Sequence, residues 1–535
     1  MNDVNGFVSA EGEKLINGNG REILLRGVGL GNWLLPEGYM WCFPDEGDRP
    51  GRIEQMIKTL IGSEKAQLFW ETFRELYISE KDIRRISEEG FNSVRVPVNS
   101  RYLLEENEEE IRYNEDHLKY IDNLLEWCET HSIYVILDLH GAPGGQTGTN
   151  IDDSENNHPD LFTNEENKKL TIDIWRMLAK RYENKWIIAG YDLLNEPLPQ
   201  WFSQYNDQVM PLYRDIIKAI REVDSRHMII LEGVHWATDW SVFTEKPDEN
   251  LMLQFHKYWN NPDTESIQVY LDKRREWKVP IFMGEGGENN TDWYAGAFRL
   301  FEDHNISWNF WTWKKMNTNN SPCSIQLPPG WELLIDFLKK GTYLRESKAE
   351  EILWCFLTNI SFENCAYRKE VVNSVFRRPK VRIPAIFYGN GGENISFGCS
   401  GKKGKNKGFR TEDISHICFA DPERSEPNFQ HGRGEPWRAD EWMYLDLSEG
   451  DWYSYEFTVE KVSGFTFDFM LYAPEEDAVI AVDIQGILHT MGVANKEWGT
   501  VSLKKQFFLE PGSHRLMLRT EKNRVCFKWF VVKPF

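Results

Sequence analysis

Trp186-Ile187-Ile188-Ala189-Gly190-Tyr191-Asp192-Leu193-Leu194-Asn195-Glu196-Pro197 is the stretch whose reading decides the fold. Its first seven residues are mostly apolar, show no helical period and lead up to a proline, which predicts a buried strand. Pro197 cannot donate to a central ladder, so the strand stops before it and leaves Glu196 at its carboxyl end. Pro280-Ile281-Phe282-Met283-Gly284-Glu285-Gly286-Gly287 has the same form: a short apolar strand, a glutamate, then glycines that let the backbone turn sharply. Two carboxylates at the carboxyl ends of two parallel strands converge on one face if those strands belong to a (β/α)8 barrel, whose active sites lie at that face.

The rest of the first 340 residues supplies that barrel. Strands are predicted at Glu22–Val28, Phe91–Pro97, Ile133–His140, Met228–Gly233, Leu251–Tyr258 and Ser307–Trp313. Helical periodicity runs over 54–77, 80–89 (capped by Ser79 and ended by Gly90), 115–131, 164–182, 206–222, 264–277 and 292–303. Eight strands alternating with helices predict an α/β fold of the TIM-barrel type. Arg95, His140, Asn195, Glu196, His256, Tyr258 and Glu285 all fall where predicted strands end. A cation such as Arg95 in a buried strand demands a partner. The two-residue period puts His256 and Tyr258 on one face of strand six, and Trp311 and Trp313 on one face of strand eight.

Paired carboxyls facing a single sugar are the layout of glycoside hydrolysis. A retaining enzyme holds them about 5–5.5 Å apart, and an inverting one about 6.5–9.5 Å. As nucleophile, Glu285 must stay ionised, which Arg95 favours. As acid, Glu196 must keep a proton, which burial and repulsion from Glu285 favour.

Composition sets outer bounds. A chain of 535 residues exceeds one barrel of about 250, so a second domain or large insertions are expected. The formal charge of −22 argues against nucleic acid or an anionic membrane as partner. No run of about 18 apolar residues exists to span a bilayer. The 22 tryptophans suit the faces of sugar rings, although a large core absorbs tryptophan too. Eight scattered cysteines, with no CxxC pair and no Cys/His cluster at metal-binding spacing, predict reduced thiols and no metal cofactor. Met1-Asn2-Asp3-Val4-Asn5-Gly6-Phe7 has neither a basic nor an apolar leader region, so a cytoplasmic protein is expected; a mature secreted chain given a new Met would look the same. Glu105–Glu110 reads as a solvated acidic loop and Lys402–Lys407 as a flexible basic turn rather than a phosphate site.

Leu25-Arg26-Gly27-Val28-Gly29-Leu30-Gly31-Asn32-Trp33-Leu34, Phe73-Arg74-Glu75, Asp82-Ile83, Gly90-Phe91-Asn92-Ser93-Val94-Arg95-Val96-Pro97 and Leu139-His140-Gly141-Ala142-Pro143-Gly144 occur in an order that resembles glycoside hydrolase family 5, most of all its exo-β-1,3-glucanase branch. The resemblance covers residues 20–340. It implies Glu196 as acid/base and Glu285 as nucleophile, with Arg95 and Tyr258 touching or orienting the nucleophile and Asn195 holding the sugar 2-hydroxyl. It implies that His140 and His256 line the subsite of the cleaved sugar, that Trp311 (or Trp313, which shares its predicted face) forms the floor, and that Glu37 binds hydroxyls of the terminal sugar. The loop Gly144–Ser154 departs from the family pattern by extra residues before the pair Asp152-Asp153, which become candidate substrate contacts because such loops select substrate. The activity implied is retaining hydrolysis of β-glucosidic bonds in short β-glucosides or β-glucan, with no cofactor and a carbohydrate as partner. β-Mannosidase, endo-β-glucanase and glucosylated-lipid hydrolase activities are alternatives on the same scaffold, and a non-catalytic glycan-binding protein is an alternative of another class.

Residues 1–345 are thus read as the barrel, 346–380 as a helical appendage and linker, and 381–535 as a β-sandwich of jelly-roll type, from its short strands of period two. The order of Gly391-Gly392-Glu393, Gly408-Phe409-Arg410-Thr411, Gly450-Asp451-Trp452, Trp498 and Lys528-Trp529-Phe530 resembles a family 6 carbohydrate-binding module. That likeness offers Phe409 and Trp498 as sugar-gripping aromatics. Cys526 stands where the family's asparagine belongs, and Ile386 where it has a glutamate beside a calcium ion. A purely structural sandwich is the even alternative.

Overall fold

The computed structural model describes residues 3–105, 112–400 and 406–535. The acidic run beyond Glu105, the basic residues 402–405 and the first two residues lie outside the described residues. The chain divides into two compact units. The first comprises Met1–Lys257, Tyr270–Gly286 and Ile306–Tyr367; the second comprises Tyr258–Val269, Gly287–Asn305 and Arg368–Phe535.

The first unit is built on a closed barrel of eight parallel strands: β1 (Arg26–Gly29), β2 (Ser93–Asn99), β3 (Tyr134–Gly141), β4 (Ile188–Asp192), β5 (Met228–Glu232), β6 (Leu251–His256), β7 (Ile281–Gly287) and β8 (Ser307–Trp311). Strands consecutive in the chain are neighbours in the barrel, and β8 closes on β1 with Phe310 beside Val28. Every residue of β2 and β3 is buried, as a parallel sheet covered by helices requires.

Boundaries differ from the sequence reading where local chemistry overrides hydrophobic pattern. Glu22–Ile23 leaves the barrel and pairs in a small antiparallel sheet with Lys14–Ile16, which in turn pairs with Ser9–Glu11. The helix expected over 54–77 is two helices, Pro50–Ile61 and Ser63–Tyr77. They are separated by Gly62 at φ 78, ψ 164, a conformation open essentially to glycine alone. The strand β4 begins at Ile188 and ends at Asp192, so Glu196 stands four residues past it. β6 stops at His256 and β8 at Trp311, so the alternation that put Tyr258 beside His256 and Trp313 beside Trp311 does not apply.

Much of the tryptophan is core. Trp41 packs its ring against Phe43, Phe69, Trp70, Phe73, Trp331 and Phe356, with the last centroid 4.5 Å away. Each such pair adds about 0.5–1.5 kcal/mol beyond area burial. This cluster ties the helix Glu346–Asn359 into the first unit, which runs on to Tyr367 where the sequence reading ended the barrel at residue 345.

In the second unit the helix that follows β7, Thr291–Asp303, joins the short helix Lys369–Val375 and two antiparallel sheets. One sheet has the order β11 (Ile417–Phe419), β12 (Met443–Leu447), β19 (Val525–Pro534), β14 (Ser463–Tyr472) and β17 (Gly499–Leu509), with β9 (Arg382–Pro384) also on β19. The other has the order β10 (Phe397–Gly398), β13 (Trp452–Val459), β18 (Gly512–Lys522), β15 (Ala478–Ile484) and β16 (Ile487–Val493). Tyr455 of β13 meets Phe530 of β19 at 5.1 Å, and Phe457 meets Phe467 at 5.9 Å, so the sheets stack as a sandwich. Phe409 is fully buried against Phe387 and Phe429, which removes it as a sugar platform; Trp498 remains accessible. None of the eight cysteines forms a disulfide, and among the described residues no helix is long and apolar enough to cross a membrane.

Candidate active site

Arg95 enters the barrel from β2 and is entirely buried. Its Nε lies 2.8 Å from Asp192 Oδ2, Nη1 2.5 Å from Glu285 Oε1, and Nη2 2.9 Å from Glu232 Oε1. Nη2 also donates to Asn195 Oδ1 at 2.8 Å and stands 3.2 Å from Asp138 Oδ2. Strands β3, β4, β5 and β7 each send it a carboxylate, and β4 extends one further partner through Asn195. Burial penalises the guanidinium, but Asp138, Asp192, Glu285 and Glu232 together hold its pKa far above the ordinary value.

A second cation sits beside it. His256, at the end of β6, has Nδ1 2.6 Å from Glu196 Oε1 and 3.7 Å from Glu285 Oε2, and Nε2 3.4 Å from Glu232 Oε1. Burial opposes its charge, yet Glu232 and Glu285, with the hydrogen bonds His256 donates to Glu196 and Glu232, raise its pKa well above the imidazole range. Two cations therefore face five carboxyl groups, and not all five are ionised. Two like charges 4 Å apart repel by about 4 kcal/mol at an effective dielectric constant near 20, enough for one of a pair to keep its proton. The directions are distinct: burial, with repulsion from Glu232, raises Asp192 well above the carboxylate range, and burial raises Asp138. Burial, then repulsion from Glu285 and Glu232, raises Glu196 against the opposing pull of His256. Glu232 is lowered, because His256 and Arg95 outweigh its burial.

Carboxylate oxygens of Glu196 and Glu285 lie within 4.8 Å of each other, with His256 Nδ1 between them in the same cluster. These three residues are a donor set that a metal ion can use, but His256 and Arg95 already supply the positive charge there. Both glutamates are reachable from outside, at 8% and 4% exposure. Glu196 adopts a left-handed backbone (φ 45), and its N–H donates to Glu232 Oε2 at 2.7 Å.

His140, at the end of β3, is oriented through Nδ1 by Asp138 at 2.7 Å, and its Nε2 is 3.3 Å from Asn195 Nδ2. Its ring is parallel to that of Trp311, with centroids 5.8 Å apart. Trp311 fits because glycines stand at the end of β1 and just past it: a Cβ on Gly29 or Gly31 would stand 2.6 or 2.7 Å from its ring. Its Nε1 donates to Tyr39 Oη at 3.0 Å, close in the chain to the buried Glu37, whose N–H is bound by Asn32.

Three candidates, Trp313, Asp152 and Asp153, are bound elsewhere. Trp313 donates Nε1 to Asp82 at 2.9 Å and stacks on Phe362, inside the core beside the buried Lys314, so of the two tryptophans only Trp311 stands beside His140. Tyr258 follows the end of β6, and its carbonyl accepts from Asn289 Nδ2 at 3.0 Å. Asp152 is fully buried and accepts from Thr147 N, Thr147 Oγ1, Gly148 N and Ser154 N, which makes it the organiser of its own loop. Asp153 accepts from Gly51 N, Asn99 and Arg101. Missed by the sequence reading were Asp138, Asp192, Glu232 and Gln254, whose Nε2 binds Asp192 at 3.0 Å and also Glu232. Their signal was available: each interrupts an apolar strand, as Arg95 does, and a buried arginine requires carboxylates to answer it.

A closed parallel barrel with two neighbouring glutamates at its carboxyl-terminal face, backed by buried cations, defines a barrel glycoside hydrolase. Residues 56–317, just under half of the chain, match the cellulase family of glycosyl hydrolases, family 5. The barrel is a glycoside hydrolase family 5 domain, and the protein is an enzyme that cleaves O-glycosyl bonds. It is 26% identical over 370 residues to a "Beta-xylosidase" of Phanerodontia chrysosporium, covering 62% of this chain and 76% of that one. It is 26% identical over 329 residues to "Endoglucanase C" of Acetivibrio thermocellus (49% and 92%), and 28% identical over 241 residues to "Probable glucan 1,3-beta-glucosidase A" of Aspergillus fumigatus (44% and 56%).

Removing the central cation leaves its carboxylates without an answer, and breaking a buried pair from one side costs about 3–5 kcal/mol. Arg95→Ala is expected to lose that much stability at pH 7 in urea unfolding. The deficit should shrink as pH falls, because protonation discharges the orphaned carboxylates; an unchanged midpoint at pH 7 would mean the cluster is already neutral.

Proposed function

We propose that this enzyme is a retaining β-glycosidase, exo-acting on short β-glucosides or β-1,3-glucan fragments, with Glu285 as nucleophile and Glu196 as acid/base. The observation that carries the reading is the approach of Glu196 and Glu285 oxygens to within 4.8 Å. An approach this close favours the about 5–5.5 Å spacing of double displacement over the about 6.5–9.5 Å that admits a water.

Arg95 Nη1 on Glu285 keeps the attacking carboxylate charged, while burial and repulsion keep a proton on Glu196. Glu285 attacks the anomeric carbon as Glu196 protonates the departing oxygen. Once the glycosyl ester forms, the charge on Glu285 is gone, repulsion on Glu196 drops, and the group released of its proton takes one from the incoming water. Asn195, fixed by Arg95, would bind the 2-hydroxyl; His140 and Trp311 would form the wall and floor, and Glu37 would hold hydroxyls of the terminal sugar. Glu232 is a positioning residue: it braces the Glu196 backbone and shares His256 with the Glu196 carboxyl. The exo-glucanase-like motifs and the glucan 1,3-β-glucosidase relative support a glucoside, whereas the xylosidase and endoglucanase names leave the sugar and mode of action to experiment. Eight cysteines without a disulfide support the expected cytoplasmic setting.

Glu285→Ala should abolish turnover of an aryl β-glucoside, and azide should restore it with a product of inverted anomeric configuration; a failure of rescue in folded protein removes the nucleophile assignment. In Glu232→Gln, His256 retains its two other carboxylate neighbours and hence its charge, but Glu196 loses a repelling neighbour. The alkaline limb of the kcat/KM profile should therefore move to lower pH, with kcat down by up to about 10²-fold from misplacement of Glu196. An alkaline limb that stays in place would leave Glu232 a merely structural role.

A further inference from the structure

Cysteine spacing along the chain shows no metal signature, but sheet pairing in the second unit assembles a donor set. β11, β12 and β19 run side by side, with Cys418 opposite Tyr444 and Asp446 opposite Cys526. Asp446 N–H donates to the His416 carbonyl at 2.9 Å, which extends the pairing by one step. Directly opposed residues share a face and every second residue returns to it, so His416, Cys418, Asp446 and Cys526 emerge on one side of the sheet. Donor atoms of His416, Cys418 and Asp446 all lie within 4.8 Å of one another. His416 Nδ1 is 3.0 Å from Asp446 Oδ2, its Nε2 is 3.8 Å from Cys418 Sγ, and Cys526 Sγ is 3.9 Å from Asp446 Oδ1.

We propose that His416 Nε2 and Cys418 Sγ bind a zinc-type divalent transition-metal ion, with Cys526 as a further thiolate and Asp446 orienting the imidazole through Nδ1. Nitrogen and sulfur bound tetrahedrally to one zinc, at about 2.0–2.1 and 2.3 Å, stand about 3.6 Å apart. The His416–Cys418 separation is already within a few tenths of an ångström of that. The carboxylate on the far imidazole nitrogen fixes the tautomer that leaves Nε2 as ligand, an arrangement that recurs behind metal-bound histidines. Asp446 is itself held by Arg524, whose Nε and Nη2 each lie 2.6 Å from it. Charge closes as well: a divalent ion and Arg524 balance two thiolates and the Asp446 carboxylate. Binding releases the two thiol protons, together with any proton on Nε2, to solvent. An imidazole with thiolates favours zinc-type ions over calcium or magnesium. Entry is open, since half of the His416 side chain is exposed while Asp446 is buried beneath it.

The full chain with reduced thiols, titrated with Co2+, should take up one equivalent with a thiolate-to-cobalt charge-transfer absorption, and Zn2+ should displace it. Cys418→Ser should abolish the absorption, Cys526→Ser should reduce it, and Asp446→Asn should weaken affinity about 10–100-fold. His416→Ala and Cys418→Ser alter accessible side chains, so circular dichroism and thermal melts matching the parent would show that a loss is not one of folding. No absorption at stoichiometric Co2+, or an absorption that both of these variants leave unchanged, overturns the assignment.

Discussion

One guanidinium organises the centre of this protein. Arg95 has no exposure to water, and a charge so placed persists only if carboxylates surround it. Strands β3, β4, β5 and β7 meet that demand with Asp138, Asp192, Glu232 and Glu285, so the same contacts that neutralise Arg95 set the relative positions of four strand ends. A helix-covered barrel can be closed with apolar side chains alone. Here the interior is charged instead, which trades packing for an electrostatic field directed at the carboxyl-terminal face.

The field sorts the carboxyls. Arg95 and His256 cannot answer all five, and burial decides which of them keep protons. Glu232 is depressed while Glu196 is raised, although both touch the same imidazole. The difference lies in what else they meet: Glu232 also has Arg95 and the Glu196 N–H, whereas Glu196 has the repulsion of its two neighbours. The left-handed backbone at Glu196 is held by that same N–H bond, so geometry and protonation are fixed by one contact.

The barrel was legible in the sequence because its strands are continuous apolar runs of a length helices do not share, and because Arg95, Glu196 and Glu285 break those runs conspicuously. The network behind them was not. Asp138 and Glu232 carry the same signal as Arg95, but which carboxylate answers which cation depends on the register between strands, and register is not written along a single one. Trp313 was misplaced for a simpler reason: period-two reasoning was carried past the end of β8 at Trp311. Asp152 and Asp153 look like any loop carboxylates in sequence. Only the folded chain shows Asp152 bound within its own loop through Thr147, and Asp153 bound to Gly51 and Arg101 of neighbouring segments. The helix break at Gly62 was visible as a glycine, but a single glycine inside a strong amphipathic pattern does not by itself end a helix.

If the charged centre exists to hold one glutamate ionised opposite another that is protonated, the ionised one must become covalently attached to sugar. Incubation with a 2-deoxy-2-fluoro-β-glucoside bearing a reactive leaving group, followed by mass spectrometry of the digested protein, measures this directly. The account predicts one fluoroglycosyl group per chain, on the peptide that contains Glu285. An enzyme that turns over β-glucosides yet acquires no label, or carries it on another residue, would contradict it.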